Sequence, residues 1–177
     1  AWGAREMGIK ATVVVPEDAT RSKLAAMEEL GASIRKIPRD AWFDLILHSH
    51  DYPGMVGLFI HPASNRYVMA GQGTIGLEIL EDLPDVNAVV TPFGGGGLTA
   101  GVASAIQLLK PSTRRYACEL NTGAPLAPSL AAGQPVTITA ELAPRYASGF
   151  SGAPSVAEEM WPIDRKSTRL NSSHTSI

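Results

Sequence analysis

Cysteine is nearly absent from this chain of 177 residues: Cys118 stands alone. No internal disulfide can form, and there is no second thiol for a zinc site. No apolar run reaches the ~18 residues that a membrane-spanning helix needs. The opening Ala1-Trp2-Gly3-Ala4-Arg5-Glu6 lacks the charged-then-apolar layout of a signal peptide. Basic residues are neither in excess nor clustered. With 15 Lys and Arg against 17 Asp and Glu, the net charge is −2, and the footprint that binds a nucleic-acid backbone is missing. The expected setting is therefore a reducing cytoplasm, away from membranes and nucleic acid. What the chain has in quantity is apolar residues, 45% against 18% charged, which is the composition of a globular protein able to bury a core.

The two ends carry their own signals. Residues 1–8 read as the second half of a helix closed by Gly8 as a C-cap glycine, so a longer N-terminus is expected. Residues 164–174, Asp-Arg-Lys-Ser-Thr-Arg-Leu-Asn-Ser-Ser-His, can be written in codons that resemble a common sequencing-library adapter. Residues 164–177 are accordingly expected to be a non-native tail that packs no apolar face into the core. Without that segment 12 Lys and Arg face 16 Asp and Glu, a net charge of −4.

Between the ends, strand and helix patterns alternate. Residues 10–16 form a β-branched run with apolar residues on both pleat faces, as in a strand covered on two sides. A helix follows, with Leu24, Met27 and Leu30 at helical spacing, Asp18, Thr20 and Ser22 offering N-cap oxygens, and Gly31 closing it. The pattern continues with a strand over 33–38, a helix over 41–49, a strand over 56–60, a helix over 69–83, a strand over 87–91, a helix over 98–109, a strand over 115–118 and a short helix over 127–132. Short loops between alternating elements predict an α/β fold, an open and mainly parallel sheet of βαβ units.

Gly94-Gly95-Gly96-Gly97 falls directly between one of these strands and the helix that opens at Leu98. Glycine lets the backbone close around an anion, and the positive end of a helix faces the same spot, so this loop is a candidate phosphate cradle. Gly95-x-Gly97-x-x-Ala100, with Glu119 about 20 residues on, also fits a dinucleotide fingerprint. Four consecutive glycines in a late strand-to-helix turn are atypical of that fingerprint, which normally opens its domain.

Several segments together carry a family resemblance: Met69-Ala70-Gly71-Gln72-Gly73-Thr74-Ile75-Gly76-Leu77-Glu78-Ile79, Phe93-Gly94-Gly95-Gly96-Gly97-Leu98 and Thr12-Val13-Val14-Val15-Pro16-Glu17-Asp18, supported by Phe59-Ile60-His61-Pro62 and by residues 1–8. From Ala1 to about Pro162 the chain resembles the threonine/serine dehydratase-type enzymes of the fold type II, pyridoxal-phosphate (PLP) dependent group, which includes threonine ammonia-lyase, serine dehydratase and serine racemase. The resemblance implies a tryptophan synthase β-like fold, with residues 1–64 a small-domain portion and residues 65–163 a large-domain portion. It implies that the backbone amides of Gly94, Gly95, Gly96, Gly97 and Leu98 hold the PLP phosphate. Glu119 would lie near the active-site mouth, where some relatives bind a divalent cation, but no second carboxylate stands close by in sequence and no metal is assigned. Ala147-Ser148-Gly149 resembles an Ala-Asp-Gly segment beside the cofactor ring, with Ser148 in place of the acid.

The same resemblance implies that the Schiff-base lysine, within a Ser-x-Lys-x-Arg-Gly stretch, and an Asn-containing loop for the substrate carboxylate lie upstream of Ala1. No catalytic residue is therefore assigned within the chain, and Lys10, Lys23, Lys36 and Lys110 lack the lysine's context. The implied activity of the parent is elimination from L-threonine, L-serine or a related β-hydroxy amino acid to give a 2-oxo acid and ammonia, in a homo-oligomer, with the fragment alone inactive. Racemisation on the same scaffold, a nicotinamide oxidoreductase and a non-catalytic α/β binding module are the alternatives. His48-x-His50-Asp51 is no metal cluster, because two positions apart on a helix the rings face different ways. His61 is expected to cap a strand end, Cys118 to act as a small hydrophobe, and Glu158-Glu159 to be a solvated pair.

Overall fold

The computed structural model describes residues 1–49, 51–119, 123–138, 155–158 and 160–163. The chain divides into two compact units, Ala1–Met55 and Val56–Ile177.

The first unit contains α1 (Trp2–Glu6), β1 (Thr12–Pro16), α2 (Arg21–Glu29), β2 (Ser33–Ile37) and α3 (Arg39–His48). Helix α1 ends as its sequence requires: Gly8 has φ +65°, and the Ile9 amide donates back to Ala4 O at 2.8 Å. Gly31, with φ +78°, closes α2 in the same way. Thr20 occupies the N-cap position of α2, yet its side chain makes no capping bond. β1 and β2 pair in parallel, with Thr12 opposite Ser33 and Pro16 opposite Ile37. Val15, Trp42, Leu45 and Ile46 are buried, and the indole N–H of Trp42 donates to Val14 O at 3.2 Å, so its one polar atom is satisfied against β1.

The second unit contains α4 (Arg66–Asp82), β3 (Ala88–Pro92), α5 (Gly97–Leu109), β4 (Arg114–Cys118) and α6 (Leu126–Ala132). β3 and β4 are again parallel, Ala88 opposite Arg114 and Pro92 opposite Cys118. The βαβ construction thus follows the sequence pattern, and pairing among the described residues comprises one two-stranded sheet in each unit. Helix α4 starts three residues earlier than periodicity indicates, because Asn65 Oδ1 accepts from the amides of Tyr67 (2.9 Å) and Val68 (3.2 Å). Such a cap satisfies donors that an uncapped first turn leaves open.

One expected element is corrected. Residues 56–60 are not a strand; Val56, Leu58 and Ile60 are 105%, 88% and 62% exposed. Apolar and β-branched composition favours a pleated surface, but a strand exists only where a neighbour takes its ladder bonds. No described strand pairs with this one.

The packing that positions the site is the α4–α5 contact. A Cβ on Gly101 would lie 2.4 Å from Met69 O and 3.0 Å from Gly73 N, and one on Gly76 would lie 3.0 Å from Val102 O. The two helices approach closely because these residues have no side chain, while Ala100, Val102, Ala103 and Ile106 of α5 are buried. Phe93, Leu126 and Val156 form a second apolar cluster, with Ala117, Leu130 and Trp161 packed against it.

Candidate functional site

At the C-terminal end of β3 the chain leaves the sheet. The Phe93 amide makes the last bond to β4, donating to Cys118 O at 2.7 Å. Gly96 then takes the left-handed conformation, φ +85° and ψ −25°, as the N-cap of α5. Residues with a Cβ rarely adopt that geometry. The carbonyl of Gly96 accepts from the Ala100 amide at 2.8 Å, while the first amides of a helix have no acceptor within it. Thr99 Oγ1 donates to Pro92 O at 3.3 Å and receives a bond from Thr91 Oγ1 at 3.1 Å. These bonds tie the first turn of α5 to the strand end.

Residues 92–98 line a concavity of about 200 Å3, closed on its other side by Pro62, Ala63 and Gln72. A Cβ on Gly97 would lie 2.8 Å from Ala63 O and 2.9 Å from Ala63 Cα. Gly97 is therefore required by the close approach of the 62–63 turn as well as by the loop itself. That turn is held by His61, which is buried and whose Nδ1 accepts from the amides of Ala63 (3.0 Å) and Ser64 (2.8 Å). His61 caps a turn here, where the sequence pattern indicated a strand end.

The concavity lies beyond the carboxyl ends of parallel strands, where α/β sheets bind ligands. None of the described residues lining it carries a charge, and no Lys or Arg occurs between Arg66 and Lys110 in the sequence. Lys110 follows the last residue of α5, at the end away from the loop, and its Nζ donates to the carbonyls of Pro84 and Val86. Arg115 is buried near the start of β4, also at the other end of the sheet. Its Nη1 donates to Thr113 O at 2.9 Å, Nε and Nη2 have no partner among the described residues, and burial lowers its pKa. None of the described residues lining the concavity is Lys or Arg, so an anion placed there would be met by main-chain N–H groups and the dipole of α5, worth up to ~2 kcal/mol in a partly buried geometry.

Glu119 follows the last residue of β4, one strand across from the loop. It is only 7% exposed, and its Oε1 accepts from the Leu126 amide at 2.9 Å, at the start of α6. Burial pushes the carboxyl above its ordinary range, while the amides of Leu126 and Ala127 pull it down. Among the described residues no three His, Cys, Asp or Glu side chains come together as metal ligands. His48 is exposed at the end of α3, and Cys118 is partly buried at the end of β4. Gly149 and Ser148, His50, Glu159 and residues 164–177 lie outside the described residues.

Sequence reasoning located the loop but missed its opposite wall. Pro62 and Ala63 signal themselves only through the His-Pro turn, and Gln72 only as a polar residue set among small ones in Ala70-Gly71-Gln72-Gly73.

A family model described as pyridoxal-phosphate dependent enzyme matches residues 1–170. Over 166 residues the chain is 39% identical to an L-threonine ammonia-lyase of Thermotoga maritima, a match covering 82% of this chain and 41% of that protein. Among solved structures, maize serine racemase superposes with a TM-score of 0.75 at 29% identity, over 93% of this chain and 49% of that one. A threonine deaminase from T.th. gives 0.71 at 31% identity, over 93% and 52%. The two βαβ units therefore belong to the fold type II, tryptophan synthase β-like architecture, and the chain spans about half or less of the length of the proteins it matches.

Proposed function

The chain belongs to the family of pyridoxal-phosphate dependent enzymes, and on that premise we propose that it is the cofactor-anchoring part of an ammonia-lyase. The substrate class is L-threonine, L-serine or a related β-hydroxy amino acid, and the products are a 2-oxo acid and ammonia. The observation that carries this reading is the neutral, glycine-lined concavity at the start of α5. None of its described lining residues carries a charge, which leaves main-chain N–H groups to hold a phosphate monoester.

In this proposal the amides of Gly94, Gly95, Gly96, Gly97 and Leu98 hold the PLP phosphate, and the 62–63 turn braced by His61 closes the far wall. PLP, when bound, supplies an electron sink for charge developing at the amino acid's Cα. The chain's own contribution is orientation: a fixed phosphate fixes the reacting group relative to its substrate, and such alignment supplies a large part of many rate enhancements. Glu119 and Gly149 are placed near the mouth of the site, with residues 1–64 as the small-domain portion and residues 65–163 as the large-domain portion. The Schiff-base lysine and the loop for the substrate carboxylate are assigned to the remainder of the parent, so the fragment alone is inactive. In support, Lys110 lies about 20 Å along α5 from the loop, at 1.5 Å per residue. The parent is proposed to be a cytoplasmic homo-oligomer.

Likeness to a maize serine racemase favours one second reading, racemisation on the same scaffold. The dinucleotide reading has less support, because it needs Glu119 open to a ribose and that carboxylate is buried against the Leu126 amide. The test is a full-length protein carrying this chain, reconstituted with PLP and supplied with L-threonine and L-serine. PLP-dependent release of 2-oxo acid and ammonia is expected. D-Serine without 2-oxo acid would replace elimination by racemisation, and no turnover of any β-hydroxy amino acid would overturn the assignment.

A further inference from the structure

Among the described residues the wall of the concavity contains a single polar side chain. Of the ten residues lining it, nine are glycine, alanine, proline, phenylalanine or leucine, and the tenth is Gln72 of α4. Its carboxamide is bonded to no partner among the described residues. We propose that Gln72 is the side-chain ligand of the phosphate in this cradle, its NH2 donating to a phosphate oxygen beside the main-chain donors of the loop. The proposal rests on the reading of residues 94–98 as the phosphate site.

Helix packing places the residue. A Cβ on Gly101 would stand 2.9 Å from Gln72 Cβ, so the backbone of α5 touches the root of the glutamine side chain. Gly97 and Gly101 are four residues apart on α5, on one face and about 6 Å apart along the axis. Gln72 is therefore anchored one turn below the helix start whose amides face the anion, and three side-chain torsions span the remaining distance. The glycines of the α4–α5 contact thereby also aim a donor at the cradle. None of the ten lining residues carries a charge, and in that setting a planar amide donating to a charged oxygen gives one of the stronger hydrogen bonds available.

The experiment uses a full-length apoprotein carrying this chain, with pyridoxine 5′-phosphate and unphosphorylated pyridoxine as probes. Neither has the aldehyde, so phosphate recognition is read without the Schiff base and without turnover. Q72L keeps the side chain's bulk and removes the donor. It should weaken pyridoxine 5′-phosphate about tenfold, the scale of one charge-assisted bond, leave pyridoxine unchanged, and shift the phosphorus NMR signal of the bound ligand. Q72E should weaken the phosphorylated probe further, increasingly between about pH 5 and about pH 8 as the phosphate takes its second charge. If Q72L binds both probes like the wild type, or loses both equally, Gln72 does not hold the phosphate. G96D separates this failure from that of the underlying reading. Loss of the phosphorylated probe in G96D beside normal binding in Q72L removes Gln72 alone, whereas normal binding in G96D removes the loop and the proposal with it.

Discussion

β1 and β3 are each five residues long, each ends in proline, and each hands the chain to a helix through a four-residue turn, 17–20 and 93–96. Even the first bond beyond each strand is equivalent: the Glu17 amide donates to Ile37 O at 2.8 Å, and the Phe93 amide to Cys118 O at 2.7 Å. Past that point the turns diverge. The first closes on itself, the Ala19 amide donating to Pro16 O at 3.0 Å, and carries Glu17 and Asp18, whose carboxylate takes the Arg39 guanidinium at 2.6 Å. The second carries three glycines and turns through a left-handed Gly96 into the concavity. A strand end and a helix start are common to both, so topology alone would not make an anion site. On the proposed phosphate reading the composition of the turn makes the difference, since carboxylates repel the ligand that bare backbone amides would attract.

Making the second turn resemble the first should have the largest effect. In a full-length protein carrying this chain, Gly96→Asp forces a Cβ into the left-handed region and a negative charge toward the anion. Retention of PLP after dialysis, followed by absorbance, should fall to background. Occupancy at the wild-type level would break the comparison, because the glycine turn would then be no more an anion site than the acidic one.

The second expected effect concerns stability and sets one glycine against another. By helix propensity Gly→Ala gains about 1 kcal/mol inside a helix. Gly71 of α4 has nothing within 4 Å of an added Cβ, and Gly71→Ala should show that gain in urea unfolding. Gly101→Ala meets backbone at 2.4 Å, so overpacking should outweigh propensity and destabilise by about 2 kcal/mol. A gain at both positions would mean that the α4–α5 seam, and with it the placement of Gln72, is looser than described.

Smaller effects belong to the strand ends and the acidic turn. β2 is followed by Pro38, whereas β4 is followed by the buried Glu119, whose carboxyl is raised chiefly by burial. A raised carboxyl favours the protonated folded state. Its stabilisation is full below the ordinary glutamate range and is lost as pH climbs through the folded value. Glu119→Gln keeps an oxygen for the Leu126 amide and removes the titration. It should flatten that decline in thermal melts across mildly acid pH, leaving the variant's midpoint at or above the wild type's at neutral pH. A decline of unchanged slope would assign it to another group. Asp18→Ala should change least, under about 1 kcal/mol, since the Asp18 side chain of the Asp18–Arg39 pair is about half exposed. It should not confer phosphate binding on the first turn, which has no glycine to open it; binding there would show that charge alone separates the two turns.

The α/β class, the parallel crossovers and the position of the glycine loop were legible in the sequence, because each depends on neighbours in the chain: apolar periodicity, Gly8 and Gly31 as helix stops, four glycines between a strand and a helix. The start of α4 was less so, since Asn65 acts four residues ahead of Met69, where the expected helix begins. Tertiary structure alone decided the rest. Residues 56–60 have a strand's composition and no strand, because ladder bonds belong to a pair and not to a segment. Glu119 became a buried cap for α6 by accepting from the Leu126 amide seven residues on, whereas the bonds by which His61 braces the 62–63 turn are local, two and three residues along the chain, and escape notice only because apolar periodicity does not register them. The far wall of the concavity, Ala63 against Gly97 and Gln72 against Gly101, comes from residues about 30 positions apart in the chain. Periodicity shows which face of a helix is apolar; only packing shows what that face meets, and so which polar side chain lines the concavity.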